Sequence, residues 1–400
     1  MKEFMTTHKI FLTPISPIHI GCGEDFEPTN YVIDGNMLYH FEPSKLPISK
    51  EQRKELLNLS SQEYVDETQL FELQGFFSKN DEIINGIKDI AHYKILVSTA
   101  ITKEWKEKLG NPTQIKENGK AEGNRFYIAR HSYSPYLSNV YIPGSSVKGA
   151  VFSAIIQSKH QNKPLTDKDL NLDKGLGNNK KRDKGIFSAA NKKLIYTYIG
   201  DFNRLSNEKI ISQYIKFSDL MPNTKFSHFS KVIYSVNLKR TKGKKGYSQG
   251  ISTRMECIQP ELYRGFQGEL TLTDISPEKS LSKDFYQSII KMLNDFYRPI
   301  FDKECQLFIQ NGFINSLFFE NINLLLNTNK IALIRLGKNG SESKLLAEKS
   351  LKKINIKGEY KEQSNTFWLA SEKNDAETQL QPLGWALLEF SPIAENELLQ

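Results

Sequence analysis

The sequence predicts an α+β protein. Short alternating apolar stretches rich in Ile, Val, Tyr and Phe recur from one end of the chain to the other. Helical apolar spacing is confined to a few segments. Strands and helices intermix without the strict alternation of a parallel βαβ protein. At 400 residues the chain exceeds the usual size of one core, so two domains are expected.

Taken in order, "KIFLTPISPIHI" (9–20) reads as a strand edged by Pro14 and Pro17. "GCGEDFEPTN" follows as a glycine-containing acidic loop. "YVIDGNMLYHF" (31–41) reads as a hairpin turning at Asp34-Gly35-Asn36. Between 44 and 109 the pattern becomes helical, with Leu56, Leu57, Leu70, Leu73, Ile83, Ile84, Ile87 and Ile90 at helical spacing. Ser49 with Gln52, and Ser60 with Glu63, fit capping boxes. This region reads as a helical insertion between strands of another fold. A polar connector spans 110–125, and "FYIARHSYSPYLSNVYIPG" returns to extended structure.

"YIPGSSVKGAVFSAI" (141–155) then opens a helix, because Val147, Val151, Ala154 and Ile155 fall on one face. Residues 159–185 read as a polar surface loop. Strands are expected near 214–219 and 231–238, and 239–250, "KRTKGKKGYSQG", as a basic, glycine-rich loop. "ISTRMECIQPELYRGFQGELTLTD" alternates as two strands, and "LSKDFYQSIIKMLNDFY" is a helix. The tail holds strand-like "KIALIRLG", "TFWLA" and "PLGWALLEF" around glycine-rich "KNGSES".

Several chemistries are excluded. Cys22, Cys257 and Cys305 are far apart, so neither a zinc site nor a disulfide framework is implied. The seven histidines (8, 19, 40, 92, 131, 160, 228) form no HxH, HExxH or HxxxH spacing. No metal or cofactor is expected. No apolar run of 18 residues occurs, and the N-terminal stretch has no apolar signal core, so a reducing, cytoplasmic location without membrane contact is expected. A P-loop needs GxxxxGK[ST], but here Lys148 precedes Gly149. Ser145-Ser146-Val147-Lys148 matches S-x-x-K, yet the K-T-G partner motif is absent.

What remains points to an anion. A helix N-terminus offers unpaired N–H groups and the positive end of its dipole. Gly144 would let a ligand approach, and Ser145, Ser146 and Lys148 add donors and charge. A serine N-cap with a solvated lysine is the plain alternative. The net charge is +8, and it is concentrated. Residues 159–193 hold ten Lys and Arg against four Asp, and 231–264 hold eight against two Glu. Tyr234, Tyr247 and Tyr263 lie among the second set, with Phe266 just after it. Cations interleaved with aromatics suit single-stranded nucleic acid.

"LTPISPIHIGCGEDFEPTNYVIDGNMLYHF" together with "YIPGSSVKGAVFSAI" resembles the RAMP superfamily of CRISPR-associated proteins, in which "hIGxG" ends the first strand and "IPGSSxKGaxR" opens the first helix. "QPELYRGFQGELTL", "IRLGKNGSESKLL" and "QPLGWALLEF" look like later family segments. The length and the 44–109 insertion are most similar to the fifth Csm subunit family. The resemblance implies two ferredoxin-like (RRM-like, RAMP) modules, residues 1–230 with the insertion and residues 231–400. It implies a subunit that binds crRNA and caps its 3′ end in a type III-A (Csm) effector complex, supporting crRNA maturation and antiviral interference. Implied partners are the crRNA 3′ region, target RNA and the backbone RAMP subunit, with the small helical subunit and host nucleases as further candidates.

Residue by residue, Gly21 and Gly23 match the first glycine motif, and Gly144, Ser145, Ser146, Lys148 and Gly149 the second. Lys239, Arg240, Lys242, Lys244, Lys245 and Arg254 lie in a basic hairpin (239–254) placed where relatives project a thumb. Two departures bear on catalysis. The backbone RAMP subunit cuts with an aspartate before a "PVI" strand, whereas Thr29 and Asn30 precede "YVID" here. Phe152 replaces the arginine of "KGAxR". Binding without cleavage is therefore expected. The alternative is a RAMP-type endoribonuclease that processes crRNA, with His19, Glu27 and Asp34 as its candidates.

Overall fold

The computed structural model describes residues 5–60, 67–78, 80–109, 112–115, 121–123, 126–160, 194–195, 198–199, 214–243, 246–273, 285–326, 330–338, 354–356, 359–361 and 366–390. Strands and helices are mixed, as an α+β chain requires.

The first sheet is antiparallel and centred on β1 (Met5–Pro14). On one side lies β15 (Phe266–Thr273), then β11 (Ile215–Phe217), with β12 (Met221–Pro222) also on β15. On the other side lies β20 (Trp385–Phe390), then β16 (Ile331–Arg335). Both β16 and β20 are buried at every position, as expected of the unalternating runs "IALIR" and "WALLEF". The outer edge of β16 is closed by one side chain. Asn294 donates to Ile331 O (2.9 Å) and accepts from Leu333 N (2.8 Å), standing in for a neighbouring strand. Asn294 belongs to α6 (Phe285–Gln310), which packs on α5 (Gly144–His160) through Tyr297 Oη to Ala150 O (3.2 Å). Taken along the chain, β1, α5, β11, β15, α6 and β20 build this unit in the spatial order β11-β15-β1-β20.

The second sheet is mixed, in the order β2-β8-β14-β13-β5-β4-β3. Its strands are β2 (Gly21–Phe26), β3 (Tyr31–Asp34), β4 (Met37–His40), β5 (Tyr93–Val97), β8 (Ile128–His131), β13 (Ser230–Gly243) and β14 (Gly246–Ile258). β19 (Thr366–Ser371) also pairs with β13. Parallel joins link β13 to β5 and β14 to β8. Smaller ribbons are β6 (Pro112–Ile115) with β7 (Ala121–Gly123), β9 (Tyr133–Ser134) with β10 (Asn139–Val140), and β17 (Ile354–Ile356) with β18 (Glu359–Lys361).

Local expectations hold where the chemistry is local. The β3–β4 hairpin turns through Gly35 and Asn36, with Gly35 at φ +57°. The Ser49 box forms in both directions, Gln52 N to Ser49 Oγ (3.1 Å) and Ser49 N to Gln52 Oε1 (2.8 Å), opening α1 (Lys50–Ser60). Glu63 lies outside the described residues. With α2 (Glu67–Ser78) and α3 (Asp81–Ile90), α1 surrounds a separate small core that includes Phe41, Phe77, Ile83 and Ile87. A further helix, α7 (Leu317–Leu326), follows α6. Among the described residues no helix is long and apolar enough to cross a membrane.

Four expectations are corrected. The insertion is narrower than 44–109, because β5 joins the second sheet and α4 (Thr99–Lys108) buries Ile101 and Trp105 in the main core. The first six residues of the acidic loop expected after Ile20 are strand β2, while 27–30 form a turn. Only Phe26 in the strand is buried, so apolar alternation could not reveal it. The described parts of the basic segment, 239–243 and 246–250, are not loop but the arms of the β13–β14 hairpin. Residue 230 does not separate the two sheets. β1 pairs with β15 and β20, and β13 pairs with β5, so each sheet draws strands from both sides of that position. Strand neighbours are chosen by crossovers between distant segments, which no local pattern records.

Candidate nucleic-acid interface

The first glycine motif is shaped from beneath. His19 is buried, and its Nδ1 lies 2.7 Å from Glu256 O, while burial lowers its pKa. Gly21 pairs with His131 and Asp25 with Ala129, so β2 bulges across Cys22–Glu24. Gly23 is exposed at φ +87°, with open space where a Cβ would stand. The late glycine-rich segment meets this motif directly. Lys338 N donates to His19 O (2.8 Å), and Gly337 sits at φ +72° against the same carbonyl. From residue 339 to 350 the segment lies outside the described residues.

The second motif opens α5 as expected, with Val147, Val151, Ala154 and Ile155 buried. Ser145 and Gly149 are exposed, and Ser146 and Lys148 half-buried. Gly149 has open space at its Cβ position. The Lys148 Nζ lies 5.4 Å from the Phe152 ring centre. Burial, and then the nearby charge of Lys216, lower its pKa. Gly144 is corrected. A Cβ there would lie 2.4 Å from Ser218 O and 2.5 Å from Phe217 O, so the missing side chain makes room for β11, not for a ligand. Its N–H donates to Asp219 Oδ1 (2.8 Å), which takes one of the helix's unpaired donors.

The two motifs are joined by a residue with no sequence signal. Ser132 donates to Ile20 O from both N (2.8 Å) and Oγ (3.1 Å), and its own carbonyl accepts from Tyr141 N (3.2 Å). Ser132 lies between β8 and β9, where the sequence showed only extended structure.

The basic hairpin is partly committed elsewhere. Lys242 is exposed, and Lys239 is half-buried in register with Thr366. The Arg240 guanidinium lies 4.3 Å from the Phe367 ring centre. Lys244 and Lys245 lie outside the described residues, as does most of 159–193. The far end is anchored. Tyr247 N donates to Glu377 Oε1 (2.7 Å), and the Tyr247 ring packs on Phe313. Arg254 is a correction. Its guanidinium ion-pairs with Glu104 of α4 (2.8 Å) and lies 4.2 Å from the Phe126 ring centre, just ahead of β8.

Beneath the first glycine motif is a polar centre that sequence reading missed. Glu256 is fully buried (0 % exposed) and accepts from Tyr93 Oη, Ser230 Oγ (2.7 Å) and His131 N (3.1 Å). Burial raises its pKa. Arg130, also buried, stacks 3.3 Å from the Tyr133 ring centre and 4.8 Å from Phe26. In the sequence Glu256 is one polar residue in an alternating strand.

The nuclease candidates are dispersed among other tasks. His19 is held as described. Asp34 pairs with Lys88, whose hydrogen bond lowers its pKa. Glu27 is exposed, and its carbonyl accepts from Asn30 N (2.9 Å) in a turn. Among the described residues no group of three or more His, Cys, Asp and Glu side chains could hold a metal.

No curated protein sequence matches the chain. The fold is similar to a crystal structure of T. onnurineus Csm5, with TM-score 0.54 and 16 % identity, covering 95 % of this chain and 99 % of that one. It is equally similar to a chain in the cryo-EM structure of a Csm–crRNA–target RNA ternary complex of a type III-A CRISPR-Cas system. There the TM-score is 0.55 at 15 % identity, covering 96 % of this chain and 100 % of that one. The family model of the RAMP superfamily matches residues 11–314, most of the chain, and the protein belongs to that superfamily.

Proposed function

We propose that the chain is a crRNA-binding subunit of a type III-A CRISPR effector complex, capping the 3′ end of the guide without cutting RNA. One observation carries the reading. Lys338 bonds His19 just ahead of Gly21–Gly23, Ser132 bonds both Ile20 and Tyr141 on the approach to α5, and Gly23 and Gly149 leave open surface. Exposed backbone with cations beside it fits a phosphodiester chain of any sequence, and sequence reading is then left to base pairing. The unit β1-α5-β11-β15-α6-β20 follows the order of a ferredoxin-like module assembled from both halves of the chain. The partners proposed are crRNA, target RNA and the backbone RAMP subunit, with the small helical subunit and host nucleases beyond them. Cleavage needs a general base at the 2′-OH. His19 and Asp34 are already engaged and Glu27 stands apart, which favours holding over cutting.

Two substitutions test the surface. Lys148→Ala should weaken binding of single-stranded RNA and flatten the log–log salt dependence by about 0.7, the slope of one phosphate contact, with little change in melting temperature. An unchanged affinity with an unchanged slope removes Lys148 from the interface. Gly149→Ala should instead stabilise the fold, by up to about 1 kcal/mol, since alanine suits a helix interior and the site is open. It should nevertheless weaken RNA binding, because a methyl group then stands where the backbone passes. A more stable variant with full affinity would show that RNA does not cross this turn. For chemistry, the chain is incubated with repeat RNA with and without divalent metal. A product lost on His19→Ala at an unchanged melting temperature would establish the nuclease instead.

A further inference from the structure

We infer that Tyr136, at the tip of the β9–β10 hairpin, is a stacking platform for an unpaired base of the bound RNA. This rests on the RNA-binding reading and names a part of that surface which the glycine motifs do not include.

Tyr136 is 98 % exposed, far more than any other large apolar side chain described, and Leu137 beside it is 54 % exposed. A tyrosine left this open gains nothing from the core. The tip is nevertheless held in place. Ser134 pairs with Asn139 and Tyr133 with Val140, leaving the tip Pro135-Tyr136-Leu137-Ser138. Ser138 adopts φ +47°, a conformation that costs a side-chain-bearing residue energy and persists only where the surroundings impose it. Below the tip, Tyr133 is covered by the Arg130 guanidinium at 3.3 Å. Of the two hairpin tyrosines, one is therefore used inside the protein and the other is presented outside.

Its place in the fold selects the occupant. The hairpin is rooted at Ser132, which bonds the end of the first glycine motif at Ile20, and at Tyr141, which leads into α5. Ile142 is bridged both ways to Leu220 (3.0 and 2.9 Å), fixing the other root. The tip thus stands on the segment between the two phosphate-facing motifs. A strand held there by its phosphates has bases to place, and a rigid ring is the group that receives one. Tyrosine loses only two side-chain torsions on stacking. Every base has a π-face, so the contact tolerates any guide sequence.

The experiment uses the full chain and single-stranded RNA oligonucleotides carrying 2-aminopurine, or one abasic position, moved along the strand. Wild type should quench 2-aminopurine at one position and lose affinity when that position is abasic. Tyr136→Ala should lower affinity about 5- to 150-fold, abolish that position dependence and leave the salt slope unchanged. Tyr136→Phe should behave as wild type. Equal melting temperatures of the variants confirm that folding is intact. Full affinity and quenching in Tyr136→Ala overturn the inference, and if Lys148→Ala still flattens the salt slope, the RNA-binding reading survives. RNA binding unaltered by Tyr136→Ala but assembly with partner subunits lost would assign the tip to a protein contact and also overturn it. No salt-dependent binding by wild type overturns both.

Discussion

Gly337→Ala should destabilise the protein by about 2–5 kcal/mol, although residue 337 contributes no side chain to any core. Two costs combine. The backbone is at φ +72°, where a Cβ costs about 1–2 kcal/mol. That Cβ would also lie 2.1 Å from the His19 carbonyl oxygen, and forcing atoms into filled space costs about 1–3 kcal/mol more. The carbonyl cannot yield easily, because it accepts from Lys338 N (2.8 Å) and the His19 ring is tied to Glu256. Gly23→Ala is the control. It has a similar φ of +87° but open space, so only the conformational cost should appear. Denaturant midpoints at constant m-value measure both. Equal losses for the two variants would mean that the loop relaxes away from His19. Gly337→Ala should also weaken RNA binding, since it separates the first glycine motif from the last.

Glu256→Ala should cost about 3–5 kcal/mol. It strands three buried donors, Tyr93 Oη, Ser230 Oγ and His131 N, and removes a buried negative charge near Arg130, which keeps its ion pair with Glu24 (3.7 Å). Glu256→Gln should cost less, since an amide oxygen can still accept from Tyr93 and Ser230. The two also differ in pH dependence. Burial holds the folded-state pKa of Glu256 above the unfolded value of about 4.3. The folded protein thus binds this proton more tightly than the unfolded chain. That contribution is fully present below the unfolded pKa and is lost as pH rises through the folded one. Wild type should therefore lose stability relative to Glu256→Gln as pH rises across that window. A gap between them that does not change with pH would show that the carboxyl titrates alike in both states.

Legibility followed the range of the physics. The hairpin at Gly35, the capping box at Ser49 and the start and apolar stripe of α5 are local, and each stands where the residues said. The glycines divide along the same line. A glycine is visible in any sequence, but the reason for it is not. Gly144 yields to the backbone of Phe217 and Ser218, Gly337 to His19, and Gly149 to nothing in the protein. The charges behave likewise. Arg254 and Lys242 look alike in a basic segment, yet Glu104 and Phe126 claim the first while the second faces outward.

By itself, the sequence determined the α+β class, the family motifs at residues 20–23 and 143–149, and the concentration of positive charge. Each is written in residue type and short-range spacing. The tertiary structure alone decided which strands are neighbours, so that β1 lies between β15 and β20 across more than 250 residues. It also decided that Ser132 would join the two motifs, that Glu256 would be buried beneath the first of them, and that Tyr136 would stand free above. Those outcomes depend on which distant surfaces exclude water together, a property of the folded chain that no window of residues contains.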